Sequence, residues 1–536
     1  MSFIASATPE VTDAVIKQNL EQFLVVLSVS LGVATLSRLV SWFRQIPYTL
    51  LLVIVGLGLA FVNVRLVNLS PELILEIFLP PLLFEAAWNM RWRDLRENLL
   101  PVSIFAIFGV VISVVGIASS VSWLTGLPIP IALLLGASLS ATDPVSVVAL
   151  FRELGASKRL TVVMEGESLF NDGVAVVAYL LLVGIPLGME EFTLPTTIAR
   201  FGVFVGIGIA VGCLVGFGIS YLTQRFDYAL VEQSLTLVSA YGTYLIVEEL
   251  GGSGVIGVVT VGLILGNFGS RIGMNPRTRL IVTEFWEFLA FFVNSIVFLL
   301  IGDQINFGSL GGNIGLILTA IAAVLVTRLL VIFGLGSISN WLGNQDLNWR
   351  ELTVLWWGGL RGGVSIALAL SVPAVLDGRQ EIIDAVFGVV LFTLLVQGLT
   401  TQLFLEKLDL IGDQPQRQQY SECLARRTAL RRVLKYLEEL DPSPDVDPEF
   451  YRYQQSLVKQ ELASVDEKQE ALQQANPQLR SLDLEQLREQ LLDIEADTYA
   501  EYIRAGRLNR NLSPVLQSVL DDATRKEIRP DTAVGS

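Results

Sequence analysis

Several ionisable and oxygen-bearing side chains lie inside segments that are otherwise apolar. Within residues 166–173, Ser168 and Asp172 are four residues apart, and so are Glu167 and Asn171. Residues four apart share one face of a helix, so carboxylate, hydroxyl and amide groups are predicted to lie side by side. Such oxygen donors suit a small cation or a proton. Because burial disfavours the charged form of a carboxyl group, Asp172 can bind and release protons in a chain without histidine; an aspartate paired for structural reasons is the alternative.

A second stretch predicts an interrupted helix in the membrane. Pro144 follows Thr142 and Asp143, has no backbone N–H to donate, and disfavours helical geometry at the residue before it. A broken helix inside a bilayer is tolerated where it is buried in protein or lines water. The freed carbonyl groups and Thr142 can bind a cation, and Asp143 can stabilise the positive end of a half-helix. A simple proline kink is the alternative.

A third stretch, residues 358–363, holds four glycines around Leu360 and Arg361. Glycines disfavour continuous helix, so Gly362 and Gly363 are predicted to break it, and we expect Arg361 to face exposed carbonyl ends of the opposite half. Close packing of helices explains the glycines about as well. Two broken segments at corresponding places in the two halves of a chain are typical of an inverted-repeat transporter.

Two further charges need partners inside the apolar region. Arg328 lies amid aliphatic residues, and Glu167 is its best acidic candidate, giving a buried pair that fixes the packing of two helices. Glu85 follows two prolines and an apolar run. It either reaches the cation path or lies at the cytoplasmic interface near Arg91.

Apolar segments recur at lengths suited to crossing a bilayer, which takes roughly 20 residues. About thirteen are predicted, and the fifth and twelfth hold the two breaks. To within several residues they run over 22–43, 46–64, 70–88, 99–124, 128–150, 160–187, 198–224, 230–250, 253–268, 280–302, 313–341, 351–375 and 382–408.

The distribution of charge divides the chain. Of the first 408 residues 48 are charged, against 41 of the last 128, which excludes a single soluble globule. Lys and Arg favour alternate loops by thirteen to four, and this bias places the N-terminus outside and the charged tail in the cytoplasm. We therefore expect an extracytoplasmic N-terminus (1–21), a transmembrane domain (22–408) and a helical cytoplasmic tail (409–536), in the plasma membrane by default or in an internal membrane.

The tail itself carries contrasting stretches. Residues 421–439 are basic and helix-like, residues 441–448 are predicted to form a linker, and apolar residues at 484, 487, 491 and 494 share a helical face. The tail is either a small helical domain or a regulatory element whose basic stretch contacts anionic lipid.

The composition also excludes several classes of function. A net charge of −15 argues against a nucleic-acid partner. Cys213 and Cys423 are too far apart in the sequence to suggest a disulfide framework. We find no nucleophile–base set, phosphate-binding loop or metal cluster, and predict neither an enzyme nor a cofactor.

Together these stretches resemble the monovalent cation/proton antiporter family, in particular its NhaP/NHE-type branch. The resemblance covers about residues 20–408 and not the tail. It is carried by residues 79–85 (LPPLLFE), 141–155 (ATDPVSVVALFRELG), 165–177 (EGESLFNDGVAVV), the segment around Arg328 and 358–363 (GGLRGG).

The resemblance implies thirteen spans in two inverted repeats, with a dimerising scaffold and a mobile core around two crossed, broken helices. It implies Na⁺ and H⁺ as substrates, alternating access across the lipid bilayer, and a homodimer. The implied ion site is Asp172 with Thr142, Ser168 and Asp143 nearby. Asn171 is implied to bond Asp143, Glu167 to pair with Arg328, and Glu85 to match a carboxylate of the third span.

The order Asn171-Asp172 resembles the electroneutral branch of the family. Our hypothesis is that Asp172 binds either Na⁺ or H⁺, never both, and carries one charge in each direction. The closest alternative is an exchanger of K⁺, alone or with Na⁺, since both ions take the same oxygen ligands. A cation channel or an ion sensor is the alternative from a different class.

Overall fold

The computed structural model describes residues 9–39, 46–62, 66, 69–189, 193–225, 228–305, 307–343, 347–410, 414–439 and 448–475, with isolated positions between 491 and 502. Every regular element in these ranges is a helix. The chain divides into two compact units, Met1–Leu410 and Ile411–Ser536. The predicted all-helical fold is confirmed.

The first half of the larger unit contains nine α-helices within the described ranges. They are α1 (Pro9–Leu39), α2 (Tyr48–Phe61), α3 (Leu79–Asn89), α4 (Trp92–Glu97), α5 (Leu99–Ser103), α6 (Val110–Thr125), α7 (Ile129–Ser138), α8 (Val145–Leu154) and α9 (Lys158–Leu182). Wider π-helical turns over Leu73–Phe78 and Ile104–Gly109 lead into α3 and α6.

The second half contains eleven α-helices, counted over the same described ranges. They are α10 (Leu194–Thr223), α11 (Ala229–Glu249), α12 (Gly254–Ile264), α13 (Ser270–Ile272), α14 (Pro276–Asp303), α15 (Phe307–Gly312), α16 (Ile314–Gly343), α17 (Trp349–Trp357), α18 (Gly363–Leu370), α19 (Arg379–Phe392) and α20 (Leu399–Lys407). Two π-helical turns, Leu265–Gly269 and Thr393–Gly398, follow α12 and α19.

Some of the predicted spans coincide with one long apolar helical segment, whereas others are made of shorter helices. Among the described residues, six helical segments are long and apolar enough to cross a membrane: Leu99–Thr125, Leu194–Thr223, Gly254–Ile272, Arg277–Asp303, Ile314–Gly343 and Arg379–Lys407. The predicted fifth and twelfth segments are each two short helices, α7 with α8 and α17 with α18. The relation between the two halves stays a prediction.

Three features of the structure differ from the sequence-based segments. Helix α1 begins at Pro9, well before the predicted start at residue 22, because helical structure continues beyond the apolar run. Short helices α4 and α15 occupy two regions predicted as loops. The break between α11 and α12, residues 250–253, falls between the predicted segments 230–250 and 253–268.

The helices of the larger unit pack in two groups. The first helix group comprises α1–α3 and α10–α14, in which α14 packs against α2 and α3, and α12 packs against α3, α10 and α11. The second helix group comprises α4–α9 and α15–α20, in which α6 packs against α7 and α16, and α18 packs against α7 and α19. Both broken segments and α9 belong to the second group.

The smaller unit contains a pair of helices, α21 (Gln414–Glu439) and α22 (Pro448–Ala475), which pack against each other. Tyr420 is fully buried between them, and its hydroxyl accepts hydrogen bonds from Gln469 (3.0 Å) and Gln473 (2.6 Å). The predicted linker and most of the apolar repeat near 484–494 lie outside the described residues.

Candidate ion-binding site

The first break in the second helix group separates α7 from α8. Helix α7 ends at Ser138 and α8 begins at Val145, directly after Pro144. The backbone N–H of Val145 donates to Oδ1 of Asp143 at 3.0 Å. Asp143 thus places its negative charge at the N-terminal end of α8, where the helix dipole favours an anion.

The second break lies between α17 and α18, and it contacts the first directly. The backbone N–H of Asp143 donates to the carbonyl oxygen of Leu360 at 2.9 Å. The N–H of Arg361 in turn donates to the hydroxyl of Thr393 at 3.1 Å. The non-helical residues of each break therefore find partners outside their own helix, as buried polar groups require.

The Arg361 side chain neutralises the carbonyl end of α7. Its Nη1 donates to the carbonyl oxygens of Ser140 (2.9 Å) and Ala141 (2.8 Å), which lie within the break. Only 1% of Arg361 is exposed. The structure thus places this arginine where the sequence predicted it, against freed carbonyls of the opposite broken segment.

Two glycines of the 358–363 stretch allow the close approach of charged side chains. A Cβ atom on Gly362 would overlap Oδ2 of Asp143, and one on Gly359 would overlap Nε of Arg328. The sequence left helix interruption and close packing as alternative explanations. Both apply, because the break itself is packed against these side chains.

Helix α9 adds the hydroxyl and amide groups of the site. The hydroxyls of Ser168 and Thr142 are 2.9 Å apart. Asn171 accepts from the backbone N–H of Thr142 at 3.2 Å and donates to its hydroxyl at 2.5 Å. The expected bond from Asn171 to Asp143 is therefore wrong in this structure, since the amide is taken up by Thr142 and the Asp143 carboxylate caps α8.

Asp172 lies next to this polar cluster and is half-buried. The charged groups that interact with it electrostatically are Asp143 and Arg361. Within the part of the chain that the structure describes, no protein group donates a hydrogen bond to its carboxylate. Its oxygens thus remain available for a cation or a proton, beside the hydroxyls of Ser168 and Thr142.

Glu167 and Arg328 form a buried pair behind the site. Nη1 and Nη2 of Arg328 donate to the two carboxylate oxygens of Glu167 at 2.9 and 3.3 Å. Arg328 also donates to the carbonyl oxygens of Leu355 (2.9 Å) and Trp356 (3.2 Å) at the end of α17. One arginine thus ties α16 to α9 and to the second broken segment.

Within the described residues, Glu85 forms no hydrogen bond with the hydroxyl cluster. Its carboxylate accepts from the side-chain amide of Asn89 at 2.6 Å, whereas Arg91, the alternative partner, donates to Asp94 at 2.9 Å. Glu85 interacts electrostatically with charged residues that the sequence prediction did not single out, namely Arg152, Glu165 and Glu287. The spacing of Glu165, three residues before Ser168 and seven before Asp172, was a signal that could have identified it.

A resident metal centre has no support in the structure. Among the residues that the structure describes, no group of three or more His, Cys, Asp or Glu side chains could hold a metal ion. A cation at this site is therefore considered as a transported substrate, with Asp172, Ser168 and Thr142 as its candidate oxygen ligands.

Two helix breaks in direct contact, compensating charges and a half-buried carboxylate are typical of a membrane transporter of the ion-exchanger class. Residues 26–407 match the model of the family described as "Sodium/hydrogen exchanger, transmembrane". The chain belongs to this family and is an integral membrane protein.

Similar proteins extend over nearly the whole chain. It is 70% identical over 506 residues to "Na(+)/H(+) antiporter ApNhaP" of Aphanothece halophytica, covering 94% of this chain and 97% of the relative. It is 63% identical to "Low-affinity Na(+)/H(+) antiporter NhaS1" of Synechocystis, covering 94% and 96%. The structure of the sodium proton antiporter MjNhaP1 from Methanocaldococcus jannaschii has the same fold, with a TM-score of 0.61 at 20% identity over 73% of this chain and 99% of that one.

Proposed function

We propose that this protein exchanges Na⁺ for H⁺ across a membrane and that Asp172 carries both ions in turn. The observation that carries the proposal is the Asp172 carboxylate, which is half-buried and receives no hydrogen bond from the described residues. It lies beside two hydroxyls and two helix breaks whose charges are already compensated. Family membership and relatives named as Na⁺/H⁺ antiporters support the same reaction.

Coupling follows from the cost of burying a charge. A carboxylate without a counter-ion is penalised by several kcal/mol when it leaves water. The empty site is therefore hindered from crossing, whereas the site neutralised by Na⁺ or by H⁺ crosses. One positive charge moves in each direction, so the exchange is electroneutral.

The surrounding residues have distinct roles in this scheme. Ser168 and Thr142 supply neutral oxygen ligands, and Asn171 orients Thr142 through its two hydrogen bonds. Asp143 and Arg361 compensate the facing ends of the broken helices. Pro144, Gly362 and Gly363 shape the breaks, while Glu167 and Arg328 hold α9 and α16 in place.

Na⁺ is favoured over K⁺ as the substrate cation. Ligand chemistry alone does not separate the two ions, because both take oxygen ligands. The names of the two relatives reported above specify Na⁺ and H⁺. Both names denote transporters rather than enzymes.

The movement that changes access involves the two helix groups. We place the site in a mobile second helix group, which carries both breaks and α9 and slides against the first group. The first group is the proposed dimer interface. The distribution of Lys and Arg supports an outside N-terminus and a cytoplasmic tail, and we propose the plasma membrane as the location.

Purified protein in liposomes tests this function. Adding Na⁺ on one side should change the pH on the other side in wild type, without current, and Asp172→Asn should abolish the change. Asp377→Asn is the matched control, because Asp377 is an exposed aspartate outside both helix breaks and outside α9, so exchange should persist. Wild-type exchange by Asp172→Asn would refute the role of Asp172, and current without pH change would indicate a channel.

A further inference from the structure

We propose that Arg152 is a tethered counter-ion at the cytoplasmic entrance of the ion site, where it competes with incoming Na⁺ for Glu165 and so sets the apparent affinity for Na⁺. This inference rests on the proposed exchange function. Neither Arg152 nor Glu165 belongs to the helix breaks or to the hydroxyl cluster.

Glu165 lies on the face of α9 that leads to Asp172. The two residues are seven apart, with Ser168 between them, and this spacing repeats on one helical face. At 1.5 Å per residue, Glu165 is roughly 10 Å from Asp172 along the helix axis. It lies toward the end of α9 that joins α8 through residues 155–157. A cation approaching along this face therefore meets Glu165 before it reaches Asp172.

The ion pair between Arg152 and Glu165 is exposed enough to separate. Nη2 of Arg152 lies 2.5 Å from Oε1 of Glu165, and 64% of the arginine side chain is exposed, against 20% of the glutamate side chain. Exposed ion pairs are weak and are screened by salt. Arg328, by contrast, is 5% exposed and uses two nitrogens on Glu167, as expected for a permanent contact.

The charges around Arg152 favour a cation at this entrance. Glu85 interacts electrostatically with Glu165, Glu287 and Arg152. Glu165 thus pairs directly with Arg152, and Glu85 interacts with the same guanidinium group, so removing that group leaves a more negative entrance. Glu85 and Glu287 lie on α3 and α14 of the first helix group, while Arg152 and Glu165 lie on the second.

Neighbouring cations along the chain are engaged at other sites. Lys158 lies 3.1 Å from Asp94, and Arg159 lies 3.2 Å from Glu351. Arg159 is therefore a suitable comparison for Arg152, because it is also basic, lies nearby in the sequence and bridges two helices through one carboxylate. Of these three cations, Arg152 is the one whose carboxylate partner shares the helix face of Asp172.

The test is the Na⁺ dependence of exchange in liposomes at low ionic strength. Arg152→Gln should lower the KM for Na⁺ about two- to fivefold, the range expected for loss of a weak exposed pair, and leave Vmax within about twofold. Adding choline chloride should shrink the difference, since salt screens exposed charges. Arg152→Lys should retain the wild-type KM, and Arg159→Gln should retain it as well.

A double variant separates competition from a general change of charge. In a Glu165→Gln background, Arg152→Gln should no longer lower the KM, because the carboxylate for which Arg152 competes is absent. An unchanged or raised KM in folded Arg152→Gln, or an equal drop with Arg159→Gln, would overturn the inference while leaving the exchange function intact. Wild-type protein that moves no Na⁺ would instead overturn the proposed function and this inference with it. Monodisperse elution and the thermal unfolding midpoint establish that each variant is folded.

Discussion

The backbone N–H of Asp143 donates a hydrogen bond of 2.9 Å to the carbonyl oxygen of Leu360. This bond joins the non-helical part of one broken segment to that of the other. Together with the bonds from Arg361 to the carbonyls at the end of α7, it makes the two breaks one connected unit. A site built on this unit is expected to move as a whole.

The close contact at Gly362 predicts a strong effect of a single methyl group. A Cβ atom at this position would overlap Oδ2 of Asp143, whereas at Gly363 its nearest contact would be 3.1 Å away, on a Val297 side chain. Overpacking typically costs about 1–3 kcal/mol. Gly362→Ala should therefore lower both the exchange rate and the thermal unfolding midpoint in detergent.

Gly363→Ala is the control for this substitution. The Val297 methyl group has to give way by only a few tenths of an ångström, so the exchange rate and the unfolding midpoint should fall much less than in Gly362→Ala. Equal loss in both alanine variants would show that any methyl group in the glycine stretch is harmful and that the contact with Asp143 is not the cause.

The Glu167–Arg328 pair predicts loss of stability when one partner is neutralised. Both residues are at most 5% exposed, and removing one member of a buried pair leaves the other charge uncompensated, at a cost of about 3–5 kcal/mol. Glu167→Gln and Arg328→Gln should each reduce the yield of folded protein and the unfolding midpoint.

Exchanging the two charges should not restore stability. Arg328 also donates to the carbonyl oxygens of Leu355 and Trp356, and a glutamate at position 328 has no proton to donate to them when ionised. The unfolding midpoint of the double variant Glu167→Arg/Arg328→Glu should remain near that of the single variants. Recovery to the wild-type midpoint would show that the pair matters only through its opposite charges.

Much of this arrangement follows from elementary rules applied to the sequence. Pro144 fixes the first break because it has no N–H to donate. Arg328 and Glu167 find each other because neither charge is tolerated alone in an apolar segment. Arg361 contacts freed carbonyls for the same reason. These inferences needed only residue type and position in the sequence.

Other features depend on geometry that the sequence does not contain. Asn171 contacts Thr142 rather than Asp143, because the first break turns the Asp143 carboxylate toward the N-terminal end of α8. The hydroxyl of Thr393, in the π-helical turn Thr393–Gly398, accepts a hydrogen bond from the backbone N–H of Arg361. Nothing in the sequence around Thr393 predicts this contact. The sequence also did not predict the Arg152–Glu165 pair. Only charges inside apolar segments stand out as needing a partner, and Arg152 is exposed.

The hydrogen bonds of Asn171 predict the outcome of adding a second carboxylate. Asn171→Asp keeps an acceptor for the Thr142 N–H, but an ionised aspartate cannot donate to the Thr142 hydroxyl as the amide does. The site then holds two neighbouring carboxylates and can bind one more proton. Exchange by this variant should become sensitive to an imposed membrane potential, measured with a K⁺ gradient and valinomycin.

Asn340→Asp is a suitable control. Asn340 lies near the end of α16, and its side-chain amide bonds the backbone of Leu347 rather than a group of either helix break. Its exchange should remain insensitive to potential. If Asn171→Asp exchanges Na⁺ at a rate independent of potential, the second carboxylate takes no part in the transported charge.

Competition at a single carboxylate predicts how the KM for Na⁺ depends on pH. A protonated Asp172 cannot bind Na⁺, so lowering the pH below the pKa of the site should raise the KM for Na⁺ in proportion to the proton concentration. Raising the pH should lower the KM to a plateau, and Vmax for saturating Na⁺ should then fall, because the return of the site requires a proton on Asp172. Uptake of radioactive Na⁺ at equal pH on both sides of the liposome membrane measures both constants. A KM that stays constant while Vmax falls with acidification would mean that protons act elsewhere than on the Na⁺ site.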